Sequence, residues 1–426
     1  MKITGLYFYP IKGLRGIPLT SAHLTPQGIK YDRRFMLWSL NEDGSLRTKI
    51  QVFSNPECAL FEQQVVGLSD ESDDDSDDDI PLTNGKAVEG DNKPAPTIIV
   101  RYITPKKPLL PKHPAHDTPL TVPLRPDTTT LDPATIDMYR SSTKAYRMGD
   151  AYDAWFSACL GFPAALIYIG DGRRPQLGFL PLAPARKPKR SGAGLLLSFV
   201  DLVLGYISAC LFYLLTFPLL FGYDEGGGKR RKDRVHENAQ PPWITFADMA
   251  PFLVVSESSL ADLSSRVGDS KPLEMHRFRP NIIIGSSSPS TDNHAISDDD
   301  LRPWDEDFWA ELSVSGSPTL QLTGNCARCV SVNVDYETGR PTEGRRGAVL
   351  RTMAATRRVD KGKKWESIFG RYASLVTVPR RGLLGWWEGG GREDPGKLRK
   401  IAVGDEVRVT RRNQERDVWD WPSLKG

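Results

Sequence analysis

The sequence predicts a β-rich α+β protein interrupted by one inserted apolar segment. Three observations carry this. Short alternating runs bounded by turn signals recur toward both ends of the chain. Helix-period patterns are few and short. The run from Leu195 to Phe221 contains one charge, Asp201, between basic borders.

Residues 1–65 read as β. "KITGLYFYPI" alternates, "YDRRFMLWSL" follows, and "NEDGS" signals a hairpin before "LRTKIQVF". No basic stretch leads into a long apolar run at the start, so no secretory signal is expected. In "LSDESDDDSDDDIP" eight acidic residues interleave with Ser69, Ser72 and Ser76. That composition cannot build a core, and residues 66–95 read as a solvated, disordered insertion. "TIIVRYIT" resumes β and leads to a Pro-rich loop carrying His113 and His116. With no further His or Cys nearby, this pair is not expected to hold a metal. In "RMGDAYDAWFSACLGFPAALIYIG", Asp150 is placed to cap a helix. Tyr152, Trp155, Phe156, Cys159 and Leu160 fall at helical spacing as core residues, and Gly161 stops the helix before a strand. Residues 1–170 are taken as one α/β region.

Residues 171–240 read as a basic linker plus the apolar run. As a helix the run would be about 40 Å long, more than the roughly 30 Å hydrocarbon core of a bilayer. Arg186, Lys187, Lys189 and Arg190 precede it; Lys229, Arg230, Arg231, Lys232 and Arg234 follow. Basic flanks on both sides place both ends on one face. The expectation is an internal monotopic anchor touching lipid through 195–221 on the cytosolic face, with the outer mitochondrial membrane as the candidate.

Residues 241–412 return to β. "WITFADMAPFLVVSESSLADLSSRVG" reads as a strand, a loop and an amphipathic helix beginning near Ser256 or Ser258. "HRFRPNIIIG" is a basic turn into an apolar strand, "WDEDFWAELSVSG" leads into "LQLTG", and "IAVGDEVRVTRR" is a strand pattern. Residues 413–426 form a tail. A net charge of +3 over 426 residues gives no argument for nucleic acid. Five cysteines, an odd number, do not make a disulfide framework.

Two of those cysteines, Cys326 and Cys329, sit together in "QLTGNCARCVSVNVDYETGRP". A zinc site needs a second ligand pair, which is missing. A redox CxxC opens a helix after a strand, whereas "VSVNVD" reads as another strand. A buried structural thiol pair remains open. So does a single thiolate ligand for a soft metal carried by an organic cofactor, with Arg328 beside Cys329 favouring the thiolate.

"YPIKG", "YDRRFML", "APFLVVSESSLADL", "RFRPNIII", "NCARCVSVNVDYETG", "FGRYA" and "VGDEVRV" occur in this order, and together they resemble the MOSC-domain proteins. Within these the chain is most similar to the mitochondrial amidoxime-reducing component proteins, over roughly 1–65, 95–170 and 243–410. The resemblance implies a MOSC β-barrel domain over 241–412 behind a MOSC-associated N-terminal domain, and binding of molybdenum cofactor (molybdopterin). It points to Cys329 as molybdenum ligand and catalytic residue, with Cys326 a packing residue. Lys12, Arg33, Arg279, Asn281, Arg328 and Tyr372 match cofactor-binding positions. Fixed cations suit a terminal phosphate, and Asn281 suits a pterin amide edge. Where relatives often carry hydroxyl side chains, this chain has Gly13, Met249, Ala250 and Ala327.

The activity implied is reduction of N-hydroxylated compounds. Electrons would come from a b-type cytochrome and its flavin reductase, since the chain has no flavin or nicotinamide fingerprint. Asp335 lies near the cysteines but reads as a turn residue rather than a proton donor. A different class of function also fits a MOSC domain: sulfur carriage or cofactor handling, as in cofactor sulfurases. Those place a large pyridoxal-phosphate domain ahead of it, and a MOSC-like start at residue 2 leaves that domain out in cis.

Overall fold

The computed structural model describes residues 1–68, 95–180, 242–287, 301–376 and 399–421. Its largest sheet has eight strands. Their spatial order is Val407–Arg412, Trp309–Val314, Thr319–Arg328, Ser367–Leu375, Phe252–Ser256, Ile282–Gly285, Lys2–Phe8 and Ile17–Leu19. Phe252–Ser256 and Ile282–Gly285 run parallel, joined through the helix Glu257–Val267, and the other neighbours are antiparallel. A six-stranded sheet is built around Phe35–Leu40, Ala164–Tyr168 and Ser141–Arg147. A three-stranded sheet of Phe61–Val66, Thr97–Tyr102 and Leu120–Pro123 lies in the same core as the helix Asp150–Leu160.

That helix shows how the sequence sets the packing. Trp155, Phe156, Cys159 and Leu160 are buried on one side, each large apolar side chain contributing about 1.5–3 kcal/mol. Burial pushes the Cys159 thiol up to about 12, so it behaves as a small inert hydrophobe. Gly161 ends the helix in the left-handed region at φ 80°. The cap differs from expectation: Gly149 occupies the N-cap, and Asp150 is the first helical residue. The second helix has Ser256 at its N-cap, as its sequence predicts.

The first strands work in two sheets. Lys2–Phe8 pairs with Ile282–Gly285, and three residues later Ile11–Lys12 pairs in parallel with Phe35–Leu40. Tyr9 and Pro10 cross between them. The Tyr9 carbonyl accepts from the Arg33 amide at 2.8 Å, and the Pro10 carbonyl from the Phe35 amide at 3.0 Å. Farther on, Arg174–Pro175 pairs with Trp243–Ile244 in a two-stranded ribbon. Residues 413–421 pack closely. Asp420 accepts from the Phe179 amide at 2.8 Å, and Trp419 meets the Phe179 ring edge-on at 5.0 Å.

The membrane placement is corrected. Among the described residues no helix is long and apolar enough to cross a membrane. The two longest helices among the described residues have 11 residues each, which is about 17 Å. The apolar run 195–221 lies outside the described residues, as do its basic flanks and the acidic run with Ser69, Ser72 and Ser76. The membrane-associated, cytosolic-face and outer-mitochondrial reading is therefore withdrawn, along with the inserted membrane segment.

The histidine pair caps a turn. His113 Nδ1 accepts from the Ala115 amide at 3.1 Å, and the His116 ring lies 3.4 Å from the Ala158 carbonyl. "VSVNVD" is not a full strand. Val330–Asn333 forms a 3-10 turn, and only Val334–Asp335 pairs, with Arg340–Pro341. Val332 is buried while Val330 is exposed, so the valine alternation marks a turn with one side down.

Candidate functional site

Lys12, Arg33, Arg279, Asn281, Arg328, Cys329 and Tyr372 line one cavity. The segments that bring them there are distant in sequence and meet where the chain start passes from one sheet to the other.

One end of the cavity is cationic. Arg33 and Arg279 lie 4.8 and 4.6 Å from the centre of the Tyr9 ring. Tyr9 is fully buried, and its hydroxyl donates to the Pro280 carbonyl at 3.0 Å. Both arginines have left-handed backbones, each at φ 51°. A non-glycine residue holds that conformation only where its surroundings over-determine it. Asp32 supplies much of that restraint. Its carboxylate accepts from the Tyr9 amide at 2.7 Å and pairs with the Arg33 guanidinium. Asn281 donates to Asp32 Oδ2 at 3.4 Å and to the Tyr7 carbonyl at 3.2 Å, and it accepts from Arg33 and the Leu253 amide, each at 3.2 Å. Its amide is fully engaged within the protein, so what it gives the cavity is position rather than a free amide edge.

Lys12 is buried and pairs with the half-exposed Asp248, which also accepts from the Tyr139 hydroxyl at 3.1 Å. Burial pulls the Lys12 ammonium down to about 8, with Asp248 opposing. Crowding acts to raise the Asp248 carboxyl, but Lys12, Arg33 and Tyr139 outweigh it and hold it below the usual carboxylate range. Asp248 is set in place from behind by Arg174. That guanidinium is fully buried and donates to the carbonyls of Thr245 at 3.0 Å, Asp248 at 3.3 Å and Ala247. Gly13 follows Lys12 with φ +95°, a backbone a serine would adopt only with strain.

The other end carries the thiols. The strand Thr319–Arg328 ends as its pairing with Ser367–Leu375 runs out, with Arg328 opposite Ser367. Cys329 is the next residue and starts the turn. It is exposed, and its sulfur lies 3.1 Å from Ser331 Oγ. Cys326 is buried on the strand. The Arg328 guanidinium donates to Cys326 Sγ at 3.0 Å and to the Phe278 carbonyl at 2.8 Å. The expectation was that Arg328 favours the Cys329 thiolate; its hydrogen bond to a thiol goes to Cys326 instead. Tyr372 stacks on Phe179 at 5.1 Å, and burial, then Cys326, raises its hydroxyl well above the ordinary value. Asp335 closes the following turn, accepting from the amides of Glu337 at 2.7 Å and Thr338 at 3.0 Å. That is the turn role its sequence predicts.

Sequence reading did not single out Tyr9, Asp32, Asp248, Tyr139, Arg174 or Gln51. Tyr9 and Asp32 stand inside the quoted motifs, and that adjacency was the available signal. Arg174 was read as linker.

The chemistry of the cavity fits a phosphorylated organic cofactor with a soft metal. Its wall carries Lys12, Arg33, Arg279 and Arg328, with Asp32 and Asp248 as their acidic partners. The excess positive charge suits a phosphate. Two buried polar atoms of wall residues have no hydrogen-bond partner, the acceptor Gln51 Oε1 and the donor Arg328 Nε. Leaving such atoms unmet costs about 1–3 kcal/mol each, which a polar heterocycle would offset. Among the described residues no group of three or more His, Cys, Asp or Glu could hold a metal.

Comparison with known proteins agrees with this chemistry. The MOSC domain family matches residues 241–408, and the MOSC N-terminal beta barrel domain family matches residues 1–163. A molybdenum cofactor sulfurase of Oryza sativa subsp. japonica is 30% identical over 151 residues, covering 34% of this chain and 16% of that protein. Mitochondrial amidoxime-reducing component 1 of Homo sapiens is 34% identical over 168 residues, 38% of each chain. Mitochondrial amidoxime reducing component 2 of Bos taurus is 30% identical over 139 residues, 32% of this chain and 35% of that protein. The chain thus spans well under half the length of each of these relatives.

Proposed function

In this MOSC-domain protein, we propose that the cavity binds molybdenum cofactor and reduces N-hydroxylated compounds. The observation that carries the reading is one exposed thiol, Cys329, in the same cavity as a preformed cluster of cations, Lys12 and Arg328 buried and Arg33 and Arg279 partly buried. The overall change is N–OH plus two electrons and two protons to N–H and water. When bound, the cofactor supplies a redox metal able to exchange two electrons with the substrate N–O bond. The chain's own groups bind and orient. Lys12, Arg33 and Arg279 take the phosphate, Cys329 gives the thiolate a soft metal selects, and Ser331 holds the sulfur in direction. Cys326, buried and bonded by Arg328, is occupied. Electrons arrive singly from a b-type haem protein fed by a flavin reductase.

The relatives named as molybdenum cofactor sulfurases favour a second reading, a cofactor-handling module without reductase activity. The full chain, purified from a host that makes the cofactor, tests both. Bound molybdenum and pterin, with dithionite-driven reduction of an amidoxime, supports the reductase. Bound cofactor without turnover favours the handling module, and the absence of molybdenum and pterin sinks both.

A further inference from the structure

One acceptor on the cavity wall is left without a partner. Gln51 lines the cavity and is 8% exposed, and its Oε1 has no hydrogen-bond partner among the described residues. Its backbone is pinned: the carbonyl accepts from the Asn55 amide at 2.7 Å and the Ser54 amide at 3.0 Å. Which end of the side-chain amide is free follows from its neighbour. The Tyr139 hydroxyl lies 3.1 Å from Asp248 Oδ1 and 3.4 Å from Gln51 Nε2. The ionised Asp248 carboxylate can only accept, so the hydroxyl gives its one proton there. It has only lone pairs left for Gln51, which must turn its NH2 toward it. The amide oxygen is the end left over.

Asp248 repeats the pattern. Lys12 and Tyr139 both donate to its Oδ1, and Oδ2 takes no hydrogen bond among the described residues. Its side chain is half-exposed and lines the cavity. One tyrosine hydroxyl thus holds two acceptors, each with an oxygen unused. The backbone that places Tyr139 is strained. With Arg140 it makes the two-residue turn between the strands Asp132–Met138 and Ser141–Arg147, at φ 55° and 65°. Turns of this kind favour asparagine and glycine, and bulky residues hold such backbones only where their surroundings fix them. Lys49 helps, its ammonium lying 3.8 Å from the centre of the Tyr139 ring.

Two acceptors tied to one hydroxyl call for a ligand edge that carries two N–H donors. We infer that Gln51 and Asp248 form an acceptor pair that reads the N–H edge of a flat nitrogenous ligand, such as a ring N–H beside an exocyclic amino group. This rests on the reading that the cavity holds an organic cofactor, and it gives these two residues the edge that the fully engaged Asn281 has no free atoms to read. The terminal torsion of a glutamine turns at little cost, so Oε1 swings to meet the incoming N–H.

The test uses the full chain. Gln51→Met keeps the volume and removes the acceptor, and Gln51→Leu does the same with a shorter side chain. From a host that makes the cofactor, both should hold about tenfold less pterin than wild type. From a host that lacks it, their unfolding midpoints should not fall, because the oxygen removed had no partner. Asp248→Asn has the more telling sign. Loss of a negative charge beside Lys12 would by itself raise retention of an anion. Asparagine must still accept from Tyr139, which turns its NH2 to the ligand, so retention should instead fall by about tenfold. Benzamidine, with two N–H donors on one edge, identifies the source of the edge. Loaded wild type should not bind it. If pterin content holds in the Gln51 variants while they lose benzamidine binding that loaded wild type has, the edge belongs to a diffusing ligand and the pair stands. Unchanged pterin with unchanged benzamidine binding, raised retention in Asp248→Asn, or lowered midpoints in both Gln51 variants overturns the pair. No pterin in wild type removes the cofactor reading, and the pair then stands or falls on Gln51-dependent benzamidine binding to the empty chain. Gln51-dependent pterin without dithionite-driven turnover leaves the pair standing and removes the reductase reading instead.

Discussion

The two ends of the cavity are built by opposite means. The cationic end is over-determined: Asp32, Asn281 and Tyr9 fix Arg33 and Arg279 in left-handed backbones, and Arg174 fixes Asp248 against Lys12. At the thiol end a strand stops and an exposed cysteine follows, with one hydroxyl beside it. Rigid parts recognise what does not change during turnover, such as a phosphate. The sparse part is where chemistry needs room.

The contrast can be broken most severely at the thiol end. Cys329→Ser should lower N-reductive turnover by more than about 100-fold, as loss of a soft ligand would, with the unfolding transition unmoved. Cys326→Ser should keep most activity. Reversed behaviour of the two would reverse the assignment.

At the cationic end, Arg279→Ala should act on occupancy rather than on turnover per bound cofactor. Pterin content should drop by about tenfold, measured by the fluorescence of the oxidised, released pterin. Full occupancy would show that the cation cluster is not the phosphate site.

A pH series sharpens the difference further. Lys12 is lowered to about 8 in the folded protein, while an unfolded lysine keeps its proton to about 10.4. Between those values the unfolded chain binds more protons, so Lys12's own contribution to stability rises with pH. Cofactor retention should run the other way, falling as pH climbs past about 8, because the anion needs the ammonium charged. Retention that is flat to pH 10 would remove Lys12 from the binding set.

The smallest effect is expected at Asp335→Asn. Asparagine keeps the turn's two acceptor bonds, so turnover should change by less than about twofold. A large loss with an altered pH profile would make Asp335 a proton donor after all.

The motif residues were legible because each sits in a short, distinctive string, and the fold gathers all seven around one cavity. Their partners were not legible in the same way. Lys12 and Asp248 are 236 positions apart, and no local pattern ties a lysine to an aspartate at that range. The core helix was readable from its period and its terminal glycine. Its cap was misread because Gly149 and Asp150 are adjacent and both suit a helix start. The turn after Cys329 was misread because Val330, Val332 and Val334 alternate as a strand would, and only burial separates them. Arg174 looked like linker since its neighbours in sequence are basic and Pro-rich. Its real partners are backbone carbonyls, which leave no mark in a sequence.

The ribbon of Arg174–Pro175 against Trp243–Ile244 makes this a natural graft point. Pro175 and Trp243 face each other across it although they are far apart in sequence, so the two strands are held together. Each doubling of the stretch joining them costs only about 0.6 kcal/mol in closure entropy. Length and composition there can drift over evolution, or be exchanged by an engineer, with little thermodynamic demand on the rest. Arg174 marks the limit of that freedom. It is a rung of the ribbon and also the support of Asp248, so a graft that pulls on the rung also pulls on Lys12.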